Sequence, residues 1–597
     1  MFAPARLASN ALVITVAVLS VLASLGALVS LSGPAPSPAL SPGAPIISRY
    51  NDHRDGNAEA VSNIAHPVLL WSFDTFSTAA TSPLVGDLDG DGRPEVVFGE
   101  VRSAIPAGPA SRHLYALNAD GTLKWTAPAR YDVSPRALVD LDGDGTVEVI
   151  YGEGCHCATG GLYLYVANGA DGSLRWSWLN TFWGLGHEGT FASPSLADID
   201  GDGVLDVLIP AMDRYFYALS GVDGSVLWKS AQFSHYMRTS PVMADLDGDG
   251  RLEVTGFAES GMVRALDAAT GATEWERDYG SIAAATPALG DLDGDGRPEI
   301  VFPVIGQPGD PGHTVAVNAE DGSILWDNPT HDFSYRGPAL ADVDGDGLPD
   351  VIDGDSDNAV VVAYRGTDGT ILWETPLAGG WASGPVVVAD VDGDGALEVL
   401  AGSDAGLNVL DLATGAMEWM WSAPRVRGEP WVADLTGDDN AEIIFGAGDG
   451  KVYAITERAP AVFEPRTIGY WKHQCTLTEP KGDHVGIQQA FIDAIAAQSS
   501  VFAGISSKDE VCRILAGPQG NDMRARAEQQ LMALWLNVVS GKVSDYKEIS
   551  LPGLTTAATV GEAIAEIEST LLDPNALRAE LERAKDIADA LNNGRGG

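Results

Sequence analysis

The chain has 597 residues, 45% of them hydrophobic, and its 83 acidic and 36 basic side chains give a formal net charge of −47. That charge repels a polyanion, so nucleic acid is excluded as a natural partner. Four cysteines in so long a chain suit an oxidising compartment.

Residues 11–31 carry no charge and follow Arg6. The run is long enough to span a bilayer, and it also fits a cleavable export signal with Ala23 or Ala27 near its end. Residues 1–33 are therefore expected to be a signal peptide or an N-terminal membrane anchor, and an extracytoplasmic location follows from either. Membrane contact is expected through this segment alone. Pro34, Pro36, Pro38, Pro42 and Pro45 make 34–66 read as a stiff linker.

From residue 67 to 460 one phrase returns eight times: Asp-x-Asp-x-Asp-Gly-x-x-(Glu/Asp), or a near relative. Its carboxylates are Asp87, Asp89, Asp91 and Glu95; Asp140, Asp142, Asp144 and Glu148; Asp198, Asp200, Asp202 and Asp206; Asp245, Asp247, Asp249 and Glu253. They continue as Asp291, Asp293, Asp295 and Glu299; Asp342, Asp344, Asp346 and Asp350; Asp390, Asp392, Asp394 and Glu398. The eighth copy keeps Asp434, Asp438 and Glu442, with Thr436 and Asp439 replacing an aspartate and the glycine. Carboxylates at positions 1, 3, 5 and 9 can surround one cation if the chain turns sharply at position 6. Glycine, such as Gly92, permits that turn. Oxygen-only ligation suits Ca²⁺, so up to eight calcium ions are expected. These loops hold 31 of the 83 acidic residues, and eight ions would return 16 charges.

The copies start 53, 58, 47, 46, 51, 48 and 44 residues apart, a period that means a repeat architecture. Strand-like runs flank each loop, as in Pro241-Val242-Met243-Ala244 and Glu299-Ile300-Val301-Phe302, which rules out the helix-flanked EF-hand. Behind each loop follows a hairpin pattern around Asp-Gly or Thr-Gly that ends in Trp125, Trp176, Trp228, Trp275, Trp326, Trp373 or Trp419. Four antiparallel strands per repeat make one propeller blade. The eighth repeat lacks its last strand, and Pro67–Trp71 supplies one. The expected fold is all-β: an eight-bladed β-propeller over 67–460 of four-stranded antiparallel blades, closed by its N-terminal strand. The tryptophans are expected to pack between blades.

These residues resemble the FG-GAP (VCBS-type) repeats of integrin α-subunit-like propellers and of bacterial exported proteins. The hairpins are also similar to blades of quinoprotein-like propellers. The resemblance implies calcium loops between the first and second strands of each blade, on one face. It says little about activity, because propellers host both adhesion and catalysis.

The linkers between blades gather cations and aromatics at one repeated position: Arg130 and Tyr131; His187; His235, Tyr236 and Arg238; His331, Tyr335 and Arg336; Trp381; Arg425 and Arg427. They are candidate contacts for an anionic, glycan or protein ligand on the face opposite the metal loops, against the plainer reading that they pair with nearby acids. Cys155 and Cys157 are expected to pair with each other in preference to holding a metal.

After 460 the pattern turns helical, and 461–597 is expected to be a small all-α domain with Cys475 bonded to Cys512. Ser507 with Glu510, Thr559 with Glu562, and Asp573-Pro574 read as helix starts, and 523–539 as an amphipathic helix. Gly469-Tyr470-Trp471-Lys472 resembles a helical module appended to bacterial exported proteins. The expected role is a non-enzymatic binding or adhesion propeller. A polysaccharide lyase or a quinoprotein-like dehydrogenase on the same scaffold is the alternative, and a part in envelope assembly is a third reading.

Overall fold

The computed structural model describes residues 46–47, 58 and 61–595, apart from 76, 78, 102–111, 156–161, 181–187, 190–191, 281, 283–284, 306–311, 330–336, 356–358, 380–383, 427, 439, 458–463, 477–485, 519 and 548. The chain divides into two compact units, Met1–Glu457 and Arg458–Gly597.

The first unit is a ring of eight four-stranded antiparallel blades. Blade one comprises Leu84–Gly86, Glu95–Val101, Arg112–Leu117 and Leu123–Ala129. Blades two to seven repeat the pattern over 132–180, 195–229, 243–278, 288–329, 339–376 and 387–422. The second strand of each blade reads as an unbroken apolar run because neighbouring blades cover both its faces. Val96, Val97 and Phe98 are wholly buried, as are Ile443, Ile444 and Phe445 of blade eight.

Blade eight joins the two ends of the ring. Trp431–Ala433, Glu442–Gly446 and Lys451–Glu457 are completed by Pro67–Asp74, which runs antiparallel to Lys451–Glu457 with Pro67 opposite Glu457 and Asp74 opposite Lys451. The expected closure is present, and it removes the open edge a seven-and-a-half-blade ring would carry.

Adjacent blades are tied by the tryptophans. Trp71 Nε1 donates to Ala119 O, Trp125 to Gly169 O, Trp176 to Gly221 O, and the series continues through Trp373, which donates to Leu412 O. Each ring packs on the hairpin glycine of the next blade. A Cβ on Gly121, Gly172 or Gly224 would meet the preceding tryptophan at 2.5–2.7 Å. Only Trp419 Nε1 lacks a partner in this series among the described residues. Its neighbour is blade eight, where the hairpin is interrupted by the closure.

Part of the 34–66 stretch, expected as a stiff linker, is docked on the ring. Ile46–Ile47 pairs with Leu138 and Ala137, on the axial edge of blade two's inner strand. Ala58 N donates to Val388 O, Ser62 N to Asp390 O and Ile64 N to Val391 O, and Ser62 and Ile64 are buried. An apolar Ile64 and backbone donors facing open carbonyls dock these residues on blades seven and eight. Among the described residues no helix is long and apolar enough to cross a membrane. The expected signal or anchor and the proline-rich stretch lie outside the described residues.

Among its described residues the second unit holds six helices, Ile468–Gln474, Gln489–Gln498, Lys508–Ala516, Met523–Val539, Val560–Leu572 and Arg578–Asn592. Ser507 and Thr559 cap their helices by accepting from Glu510 N and Glu562 N. The last helix starts at Arg578 and not at Pro574, because Asp573 accepts from Asn575 N and the Glu580 carboxylate accepts from Leu577 N. Trp471 is wholly buried and donates to Asn537 Oδ1 at 3.0 Å. Cys475 and Cys512 are disulfide-bonded, with Cα atoms 5.8 Å apart.

Candidate metal centres

Each acidic loop joins the first and second strands of its blade, and its backbone arranges it before any ligand arrives. In blade one Asp87 accepts from Gly90 N and Gly92 N, both at 2.8 Å. Asp91 accepts from Arg93 N, and Glu95 accepts from Leu88 N. The same bonds recur in blades four, five and seven. Two glycines make them possible: Gly90 at φ 74° and Gly92 at φ 84° both take left-handed backbone that costs other residues about 1–2 kcal/mol. The glycine at position 4 is present in every copy of the motif, and the turn needs it as well as the glycine at position 6.

The position-9 carboxylates are buried throughout, Glu148 and Asp206 completely. Among the described residues seven groups of carboxylates each offer ligand oxygens within 4.8 Å of one another, among them Asp87, Asp89 and Glu95; Asp140, Asp142 and Glu148; Asp198, Asp200 and Asp206; Asp245, Asp247 and Glu253; Asp291, Asp293 and Asp295. Glu253 is 1% exposed, and its Oε1 has no hydrogen-bond partner among the described residues. A buried, unpartnered carboxylate oxygen among other carboxylates costs free energy unless a proton or a cation joins it. Burial first, then neighbouring carboxylates, pushes Glu253 and Glu299 up to about 7 and Glu398 up to about 8. An all-oxygen, multiply anionic donor set of this kind fits a hard divalent cation. Asp342, Asp344, Asp346 and Asp350 in blade six, and Asp390, Asp392, Asp394 and Glu398 in blade seven, keep the same loop turn.

The loops differ in what already occupies them. Lys124 Nζ bonds Asp89 and lies 3.0 Å from Glu95 Oε1, and Arg175 contacts both Asp142 and Glu148. Asp206 and Asp350, shorter than glutamate, have both oxygens bonded to backbone N–H groups. In blade eight the Thr456 hydroxyl donates to Glu442 Oε1 at 3.0 Å.

On the opposite face the described linker residues are engaged within their own blades. Arg238 pairs with Glu259, and His235 Nδ1 lies 3.8 Å from the same carboxylate. Arg238 also lies over the Tyr236 ring at 5.4 Å. Arg425 pairs with Asp404 at 2.6 Å. Arg130 stacks on Tyr131 and Tyr163, and its backbone N–H donates to Glu153. His187, His331, Tyr335, Arg336, Trp381 and Arg427 lie outside the described residues, as do Cys157 and the side chain of Cys155. Nothing in the local sequence of Glu259 or Asp404 links these acids to the linkers, 21 residues away in each case.

The FG-GAP-like repeat model matches residues 140–209 and 342–401, so the chain carries FG-GAP-like repeats. No curated protein matches the chain by sequence. Among solved structures, the chain is similar to the V. cholerae biofilm matrix protein Bap1 at 16% identity and TM-score 0.47, over 66% of this chain and 91% of that one. It is similar to a europium-containing methanol dehydrogenase at 12% identity and TM-score 0.47, over 70% and 98%. BamB from Moraxella catarrhalis matches at 15% identity and TM-score 0.41, over 66% and 100%. At these levels the likenesses carry no argument, and the propeller rests on the blade hydrogen bonding itself.

Proposed function

We propose that the chain is an extracytoplasmic, calcium-loaded propeller that acts as a non-enzymatic binding module. Bound calcium would neutralise the mutual repulsion of each loop's carboxylates and tie the first and second strands of a blade together. The ligand would be a neutral glycan or a protein surface at the linker face. The observation that carries this is the internal pairing there: Arg238 is held by Glu259 and Arg425 by Asp404, while the rings of Tyr131, Tyr163 and Tyr236 remain partly exposed at the same end of the blades. Paired guanidiniums are poor captors of a free anion, and aromatic faces suit sugars and apolar protein surfaces.

The test is a screen of the full chain against neutral glycans, acidic glycans and extracellular matrix proteins, with calcium and with chelator. Retention of a neutral glycan or a protein, reduced by Tyr131→Ala or Tyr236→Ala, supports the reading. Release of unsaturated oligosaccharides, or dye reduction with an alcohol, would replace it with an enzymatic one.

A further inference from the structure

The residue just before each hairpin tryptophan is skipped by the strand register. In blade one Ala116 pairs with Trp125 and Leu117 with Leu123, leaving Lys124 in a bulge, and the same one-residue slip recurs in the other seven blades. A bulge re-aims a side chain. Here it aims at the acidic loop, because Lys124 reaches motif positions 3 and 9 of its own blade and Arg175 does the same in blade two. The bulge residue is glutamate in blades four and seven, Glu274 and Glu418, and leucine in the remaining four.

Lys124 and Arg175 therefore place an internal cation among the loop carboxylates. Glu274 and Glu418 add a fifth carboxylate from the same register position. In blade four the exposed Arg251 is shared among Asp249, Asp267 and Glu274, so one cation there faces two acids beyond the four of the motif. Blade four also holds the buried Glu253 Oε1 with no partner among the described residues. Calcium affinity follows the number of charged ligands and the rigidity of the site, and the loops that end in glutamate and keep both glycines share one backbone turn, so charge is what distinguishes those five.

We propose that the bulge residue sets the order in which the loops take calcium: blades four and seven, with a fifth carboxylate, bind first and tightest, while Lys124 and Arg175 stand in for the ion in blades one and two. This rests on the calcium reading of the loops.

Calorimetric titration of the decalcified full chain with calcium, alongside its melting curve, tests the order. Two sites are expected to fill at least about tenfold more tightly than the rest, the factor that 1.4 kcal/mol of differential interaction produces. Glu274→Gln with Glu418→Gln, which keeps side-chain shape, should abolish the tight class. Lys124→Met with Arg175→Met should add two measurable sites. Eight equivalent sites, or a tight class untouched by the glutamine pair, would overturn the order and leave calcium binding intact. Absence of both heat and a melting shift would remove the calcium reading and this inference with it.

Discussion

Gly172 lies against the ring of Trp125 from the preceding blade: a Cβ there would meet Trp125 Cε3 at 2.7 Å. The tryptophan also donates to Gly169 O at 2.6 Å, so one side chain fixes both the distance and the register between two blades. Gly172 has φ 72°, a backbone that alanine adopts poorly. Gly172→Ala should therefore destabilise the propeller by more than about 1 kcal/mol in chemical denaturation. Gly504, where an added Cβ would meet nothing within 4 Å beyond its chain neighbours, serves as the control, and Gly504→Ala should leave the midpoint nearly unchanged. Equal effects would deny the tryptophan contact its role.

Closure makes a second expectation. Deleting 67–74 removes the strand paired to Lys451–Glu457 and leaves an edge whose backbone donors and acceptors are ready for another chain. The shortened protein should aggregate or melt without cooperativity, read by light scattering and calorimetry. A monomer with the parent's melting curve would show that the blade does not depend on this strand.

Calcium removal should be felt as stability. A ligand that binds only the folded state at about 100-fold saturation contributes roughly 2.7 kcal/mol per site. A few such loops should raise the melting temperature by about 10 °C or more over the chelated protein. An unchanged transition in excess chelator would contradict this. The loop of blade eight should contribute least, since Thr436 replaces a ligand and Thr456 already holds Glu442.

The pH response should differ with and without calcium. Burial raises Glu253 and Glu299 to about 7 and Glu398 to about 8, above the ordinary 4.5. A carboxyl whose folded pKa is raised gives stability that is present below its unfolded pKa and lost as pH rises through the folded one. In chelator the melting temperature should therefore fall between about pH 5 and pH 8. Calcium needs the deprotonated ligands, so the gap between calcium-loaded and chelated melting should widen over the same range. A gap independent of pH would argue against these three carboxylates as ligands.

The blades were legible because their signals are local and repeated. Nine residues write each loop, and tryptophan marks each hairpin at a fixed distance. What escaped was cross-strand. Lys124 meets Glu95 across 29 residues, and Arg175 meets Asp142 across 33, because a bulge re-aims them. Arg238 finds Glu259 across 21 residues, where a search of the linkers for acids would look to nearer neighbours. The start of the last helix was misplaced because Asp573 and Pro574 carry the marks of a cap. Capping of that helix instead comes from Glu580, whose carboxylate accepts from Leu577 N. Burial of Ser62 and Ile64 against blades seven and eight had no local mark at all.

The closing strand also changes what counts as the beginning of the ring. His66 N donates to Glu457 Oε2 at 2.7 Å although the two are 391 positions apart in the chain. The two ends of the propeller are thus neighbours in one sheet, joined by hydrogen bonds where every other blade is joined by a hairpin. A short turn bridging Glu457 to Pro67 would give all eight blades the same covalent form. The break could then be moved to any exposed linker, and a circularly permuted chain would have the same blades to assemble in a different order.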